Sequence, residues 1–189
     1  MRNPVKQLVN PLEMLASDHE AVKLLFEHCQ STDPGVKRRL LSEEIFKSLH
    51  IHATLEEEIF YPAVQQQLSY EDGAVVREAY REHGQIKELI RQLEAMDDRD
   101  EAFSSTLGTL KDRVLTHADK EEKRIFPLAE RQLPLTKVAL AMDKRRVQLM
   151  VQRPAPSMLA MLVLGLLGMG LMMFMFQKRR RRRSTRFSD

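Results

Sequence analysis

A chain of 189 residues suits one domain of ordinary size, and its 43% hydrophobic residues suffice to bury a core. The single cysteine, Cys29, excludes an intramolecular disulfide framework and any cysteine-based zinc or iron–sulfur site. Residues 178–189 carry seven of the 30 basic side chains, so the remaining chain has 23 basic and 26 acidic residues. That balance leaves no basic footprint for nucleic acid, and we expect no nucleic-acid partner.

The pattern of apolar residues predicts an all-α fold, because glycine and proline are scarce and strand-like alternation is absent. Caps and apolar stripes predict four amphipathic helices, at about residues 11–30, 36–68, 71–96 and 101–132. Pro62 removes a backbone donor, so we expect a kink or a break there. Four long helices with short loops pack best as an antiparallel up-down bundle, which we predict over residues 10–132.

A duplicated motif organises the chain. The segment HATLEEEIFYP at residues 52–62 recurs as HADKEEKRIFP at residues 117–127, which is 65 residues further on. Each copy contains His-x3-Glu, a spacing that puts imidazole and carboxylate on one helix face, within reach of one metal centre. A lone histidine precedes each copy, by 33 residues for His19 and by 34 for His83. The chain is therefore interpreted as a duplicated unit of about 65 residues.

The duplication predicts six metal ligands on inward helix faces. They are His19, His52, Glu56, His83, His117 and Glu121. Buried imidazoles and carboxylates cost several kcal/mol unless they are paired or coordinated, and a bound metal offsets that cost. The alternative, that these are solvated residues on misassigned faces, fits a single pair better than a duplicated set. His28 and His50 lie about 180° and about 200° round their helices from His19 and His52, so both are predicted at the surface.

The residue types also limit the metal. Imidazole with carboxylate suits iron, zinc, copper or manganese. Six ligands exceed what one tetrahedral zinc needs, and two carboxylates can each bridge two ions. A two-metal site is therefore the economical interpretation, with iron the usual occupant in helical bundles.

The C-terminal part predicts a membrane anchor. Residues 133–157 are interpreted as a linker or juxtamembrane segment, in which 137–152 form either an amphipathic surface segment or an ordinary solvated helix. Residues 158–176 carry no charge, and a helix of that length spans about 28 Å, close to the bilayer core. We predict a single transmembrane helix at 158–177 and an arginine-rich tail at 178–189 that contacts lipid headgroups. The basic tail favours a cytoplasmic C-terminus, whereas the bundle has no export signal, and we expect the bundle in the cytosol.

The motif set resembles one known family, the hemerythrin-like or HHE cation-binding family, over about residues 10–132. The resemblance is carried by Asp18-His19, His52-x3-Glu56-Glu57 with Phe60-Tyr61-Pro62, Glu82-His83, and His117-x3-Glu121-Glu122 with Phe126-Pro127. It implies a hemerythrin-like four-helix bundle with two non-haem iron ions. Glu56 and Glu121 would bridge them, and the four histidines would be terminal ligands. A bridging oxo or hydroxo group, oxygen, peroxide or nitric oxide would take the remaining positions.

The sequence departs from the oxygen-carrying members of that family. Ala79 and Lys87 stand where a fifth histidine would lie one turn from His83, and Glu121 replaces an aspartate at longer spacing. Lys23 and Lys87 either reach an anion at the site or are solvated, and Tyr80 either donates a hydrogen bond there or only packs.

Three functions stay open. The first is a membrane-anchored di-iron protein that binds or senses oxygen, nitric oxide or iron. The second is a di-iron enzyme that reduces peroxide or nitric oxide, or an iron donor for iron–sulfur cluster repair. The third is a structural membrane protein that binds metal adventitiously.

Overall fold

The computed structural model of the protein describes residues 10–69 and 73–151, and every regular element within these ranges is helical. The α-helices are α1 Pro11–Gln30, α2 Val36–Leu55, α3 Tyr61–Gln65, α4 Ala74–Ala95, α5 Glu101–Lys120, α6 Phe126–Gln132 and α7 Leu135–Val151. Two π-helical turns, π1 Glu56–Phe60 and π2 Glu121–Ile125, join α2 to α3 and α5 to α6. The predicted all-α class is confirmed for the described residues.

Neighbouring helices run antiparallel. Cys29 near the end of α1 lies 3.4 Å from Ser42 near the start of α2, measured between Sγ and Oγ. Likewise, Lys120 at the end of α5 donates to Glu78 near the start of α4 at 2.7 Å. Contacts between residues so placed require opposite helix directions. The described helices therefore pack as an up-down helical bundle.

The core consists of two apolar clusters. Each of the helices α1, α2, α4 and α5 carries one predicted histidine ligand at the level between these clusters. On α1, Leu15 belongs to one cluster and Phe26 to the other, with His19 between them. On α4, Ala79 and Ile86 flank His83 in the same way. The layer of histidines is therefore closed at both ends by packed apolar side chains, which keep water from reaching it along the bundle axis.

Both π turns follow from a proline. Pro62 and Pro127 have no N–H, so the α-helical hydrogen-bond ladder loses one donor in each repeat. The ladder slips by one residue instead of ending: Tyr61 N–H donates to the Glu56 carbonyl, and Phe126 N–H donates to the Glu121 carbonyl. The break or kink predicted at Pro62 is therefore replaced by a continuous helix with one wide turn. Both wide turns begin at a predicted ligand, as is frequent at functional sites.

Residues 135–151, interpreted from sequence as part of a linker, form α7 and pack on the bundle. Val138 and Met142 are buried in the cluster that contains Leu15, and Met142 is fully inaccessible to solvent. The segment is neither free in solvent nor confined to a surface. Its sequence signal is weak because the three buried positions, Val138, Ala139 and Met142, are followed directly by four charged residues at 143–146.

The predicted membrane span at 158–177 and the tail at 178–189 lie outside the described residues. Within residues 10–69 and 73–151, no helix has both the length and the apolar character that a membrane crossing requires.

Candidate metal centre

Four imidazoles face one another in two pairs. His19 Nε2 lies 3.1 Å from His52 Nε2, and His83 Nε2 lies 2.9 Å from His117 Nε2. All four side chains are buried. Two nitrogen ligands at about 2.1 Å from one ion, bound at a right angle, are about 3 Å apart, so both spacings suit a metal. The two surface histidines, His28 and His50, are exposed, as predicted.

The outer nitrogen of each imidazole is held by a carboxylate. The Nδ1 contacts are His19 to Glu122 at 2.8 Å, His52 to Asp18 at 3.3 Å, His83 to Glu57 at 2.9 Å and His117 to Glu82 at 2.9 Å. Each carboxylate accepts a hydrogen bond from Nδ1–H, which leaves the Nε2 lone pair of a neutral imidazole facing the partner ring. Two lone pairs about 3 Å apart repel each other unless a proton or a metal ion lies between them.

Nearby carboxylates favour protonation of one ring in each pair. Burial opposes a charged ring, yet the Glu56 and Asp18 carboxylates raise the pKa of His52 to about 10. Against the same effect of burial, Glu56 and Glu57 raise the pKa of His83 to about 9. Both raised pKa values favour the imidazolium form of His52 and His83 near neutral pH, and a metal ion would displace those protons.

Glu56 and Glu121 lie between the two histidine pairs. Glu56 Oε2 is 3.1 Å from His52 Nε2 and 3.3 Å from His83 Nε2. Glu121 Oε2 is 3.4 Å from the Nε2 atoms of both His19 and His117. Each carboxylate thus reaches one histidine of each pair. The structure brings all six predicted ligands together, although their role as ligands stays a prediction.

The carboxylate oxygens supply the test of whether a metal fits. Glu56 Oε1 is buried without a hydrogen-bond partner, and the buried Oε2 atoms of Glu56 and Glu121 face imidazole Nε2 atoms at 3.1 to 3.4 Å. Ligand atoms of His19, His52, Glu56 and Glu121 lie within 4.8 Å of one another, and so do those of Glu56, His83 and His117. Buried carboxylate oxygens without a donor are costly, whereas carboxylate with imidazole is a donor set that divalent transition metals prefer. The residues therefore fit two metal positions that share Glu56.

Sequence reasoning missed Tyr61, which makes the two positions unequal. Its hydroxyl donates to Glu121 Oε1 at 2.6 Å and lies 3.3 Å from His83 Nε2. Burial and the nearby carboxylates raise its pKa, so the hydroxyl keeps its proton. The equivalent residue of the second repeat is Phe126, which stacks on His19 with ring centroids 6.1 Å apart. The alignment of Tyr61 with Phe126 was the available sequence signal.

The three other candidate residues, Tyr80, Lys87 and Lys23, contact neighbours of the predicted ligands and not the ligands themselves. Tyr80 donates to the Glu57 carbonyl at 3.2 Å and packs edge-on against Tyr61. Lys87 donates to Glu57 at 2.7 Å, whereas Lys23 pairs with the exposed Glu20. Neither lysine reaches an anion at the centre, and Tyr80 supports Tyr61 instead of the histidines.

Three comparisons relate the chain to known proteins. A family model described as "Hemerythrin HHE cation binding domain" matches residues 10–129. A protein named DNA nickase from Nostoc sp. is 31% identical over 121 residues, which are 64% of this chain and 34% of that protein. An uncharacterized hemerythrin-like protein from Schizosaccharomyces pombe is 22% identical over 121 residues, 64% of this chain and 60% of that protein. The chain thus spans about a third and about three fifths of these two relatives.

A solved structure shares the fold. The crystal structure of a hemerythrin HHE cation binding domain-containing protein from Mycobacterium kansasii superposes with a TM-score of 0.64 at 23% identity. The superposition covers 75% of this chain and 87% of that one. At this identity the likeness establishes the architecture, and the chemistry has to be argued from the side chains themselves.

Proposed function

The chain belongs to the hemerythrin HHE cation-binding domain family, and from this premise we propose that its bundle holds two non-haem iron ions and binds or senses oxygen, nitric oxide or iron. One observation supports the proposal above the others. Two inward-facing Nε2 pairs, at 3.1 and 2.9 Å, flank the buried Glu56 and Glu121 carboxylates, whose Oε2 atoms face imidazole nitrogens at 3.1 to 3.4 Å. A bundle core assembled in this way is costly without cations to coordinate.

The predicted ligands would form two metal positions. His19 and His52 would hold one ion, His83 and His117 the other, and Glu56 and Glu121 would bridge them with or without an oxo or hydroxo group. Bound iron supplies an open coordination position and reversible electron transfer. The chain supplies the rest: carboxylates fix the imidazole tautomers, and Tyr61 presents a hydroxyl proton beside the His83–His117 pair.

The experiment is metal analysis followed by ligand addition. The full chain, purified anaerobically in mild detergent, is expected to contain about two iron atoms per molecule. Oxygen, nitric oxide or peroxide should then change its visible absorption spectrum, with saturation at about one ligand per iron pair. Iron well below one atom per chain after loading with excess Fe²⁺ would contradict the proposal, and so would a spectrum insensitive to all three ligands.

An enzymatic variant of the same site is favoured by Tyr61. Its buried hydroxyl lies 3.3 Å from His83 Nε2 and would donate a hydrogen bond to peroxide or nitric oxide at that position, and its raised pKa keeps it protonated there. Sustained turnover with an added reductant would support this second candidate. Stoichiometric ligand binding without turnover would leave binding or sensing as the function. The DNA-nicking activity named for the Nostoc relative is not transferred, because the chain spans 34% of that protein.

We also propose that the chain is anchored in a membrane through residues 158–177, with the arginine-rich tail on lipid headgroups. The support is the uncharged run 158–176 and the seven basic residues that follow it. The protein should remain in the membrane fraction after high-salt and alkaline washing. Leu167→Arg is the matched control. It should reduce the membrane-bound fraction, because a charge at the centre of a span costs about 3 kcal/mol. Recovery of the unaltered protein in the soluble fraction would contradict the anchor.

A further inference from the structure

Helix α7 begins after residue 129, where the family match ends. Its Arg146 nevertheless contacts Asp18, the carboxylate that holds His52. Arg146 Nη1 donates to Asp18 Oδ1 at 2.9 Å, and Arg146 Nη2 donates to Asp18 Oδ2 at 2.5 Å. Asp18 Oδ2 in turn accepts from His52 Nδ1 at 3.3 Å. A continuous chain of contacts therefore runs from α7 to a predicted ligand.

The duplicated repeat explains why a residue from α7 is needed. In the second repeat, the carboxylate that holds His117 is Glu82, and Lys120 donates to it from within the bundle. Glu82 aligns with Asp18, and the position equivalent to Lys120 in the first repeat is Leu55, which is fully buried in the apolar core. Leu55 cannot supply a cation. The first repeat thus has a carboxylate whose cationic partner is missing from the repeat itself.

We propose that Arg146 is a positioning residue of the metal centre, which orients His52 through Asp18 and makes α7 part of the site. This inference rests on the proposed function. A guanidinium bound to both oxygens of a carboxylate fixes its plane, because the two parallel hydrogen bonds allow one orientation. Asp18 held in that plane keeps the His52 ring turned so that Nε2 faces His19 Nε2 at 3.1 Å.

The neighbouring Arg145 provides a matched control on the same helix. Its guanidinium also makes a two-bond ion pair, with Glu58 at 2.6 and 2.9 Å. Glu58 is exposed and has no contact with a predicted ligand among the described residues. Loss of either arginine removes one ion pair between α7 and the bundle, but only loss of Arg146 disconnects a histidine. Comparison of the two separates a role in the centre from a role in attaching α7.

The test uses the full chain in mild detergent, titrated with Co²⁺ and followed by visible absorption. Arg146→Ala should weaken one of the two Co²⁺ positions about tenfold or more and change its spectrum, whereas Arg145→Ala should bind as the unaltered protein does. Arg146→Lys should restore part of the affinity. If Arg146→Ala does not fold, Arg146→Gln takes its place with the same expected weakening.

Two outcomes would count differently. Unchanged affinities and spectra in Arg146→Ala or Arg146→Gln, even with a lower melting temperature of the metal-free protein, would overturn the positioning role. Failure of the unaltered protein to bind two Co²⁺ ions would instead overturn the proposed two-metal function on which this inference rests.

Discussion

Replacing His52 with alanine is expected to abolish binding of the metal pair and the stability that depends on it. His52 Nε2 lies 3.1 Å from both His19 Nε2 and Glu56 Oε2, so its loss removes a ligand and the partner of a buried carboxylate. A metal at a hundred to a thousand times its Kd contributes about 3 to 4 kcal/mol to folding. For a protein of this size that corresponds to roughly 10 °C in Tm, which thermal melting with and without metal would measure.

His28→Ala is the control for that experiment. His28 is an exposed histidine on α1, and its imidazole makes no contact with the predicted ligands. The variant should keep the full metal content and its melting temperature within about 1 °C, because exposed substitutions usually change stability by no more than about 0.5 kcal/mol. Equal losses of metal and stability in the two variants would contradict the placement of His52 in the centre.

The gain in stability on metal binding is expected to increase as pH rises from about 6 to about 8.5. In the metal-free fold the pKa of His52 is about 10 and that of His83 about 9, above the ordinary value of 6.5. Stability from these imidazolium groups is complete below 6.5 and is lost as pH rises through 9 and 10. A metal replaces both protons, so its apparent affinity rises by up to about 100-fold per pH unit in that range.

Two measurements check this pH dependence. Co²⁺ titration in weakly buffered solution near neutral pH should release about two protons for each protein molecule that binds its metal pair. The difference in Tm between Co²⁺-loaded and metal-free protein should widen at each step toward higher pH. A constant difference, or binding without proton release, would show that the histidines are already neutral in the metal-free protein.

Much of the bundle and the grouping of the six predicted ligands could be predicted because both depend on periodicity. Leu12, Leu15, His19, Val22 and Phe26 recur at helical spacing, and all are buried. The duplication then singled out His52 and His117 over His28 and His50, because only the former recur in register. Side chains at matching heights on antiparallel helices necessarily meet.

The other features depend on contacts that no local pattern records. Pro62 predicts a lost hydrogen bond, but whether the helix breaks or slips into a π turn depends on the packing on both sides. Tyr61 occurs in one repeat only, so the duplication did not select it. Arg146 and Asp18 are separated by 128 residues, and their contact depends on how α7 docks. Val138, Ala139 and Met142 are the buried positions that pack α7 on the bundle, among mostly exposed neighbours.

Anomalous X-ray scattering at the iron absorption edge, from crystals of the iron-loaded protein, measures the central claim most directly. We expect two peaks in the bundle core, one beside the His19 and His52 Nε2 atoms and one beside the His83 and His117 Nε2 atoms, with Glu56 reaching both. A single peak, or peaks only at surface carboxylates with both histidine pairs left uncoordinated, would contradict it.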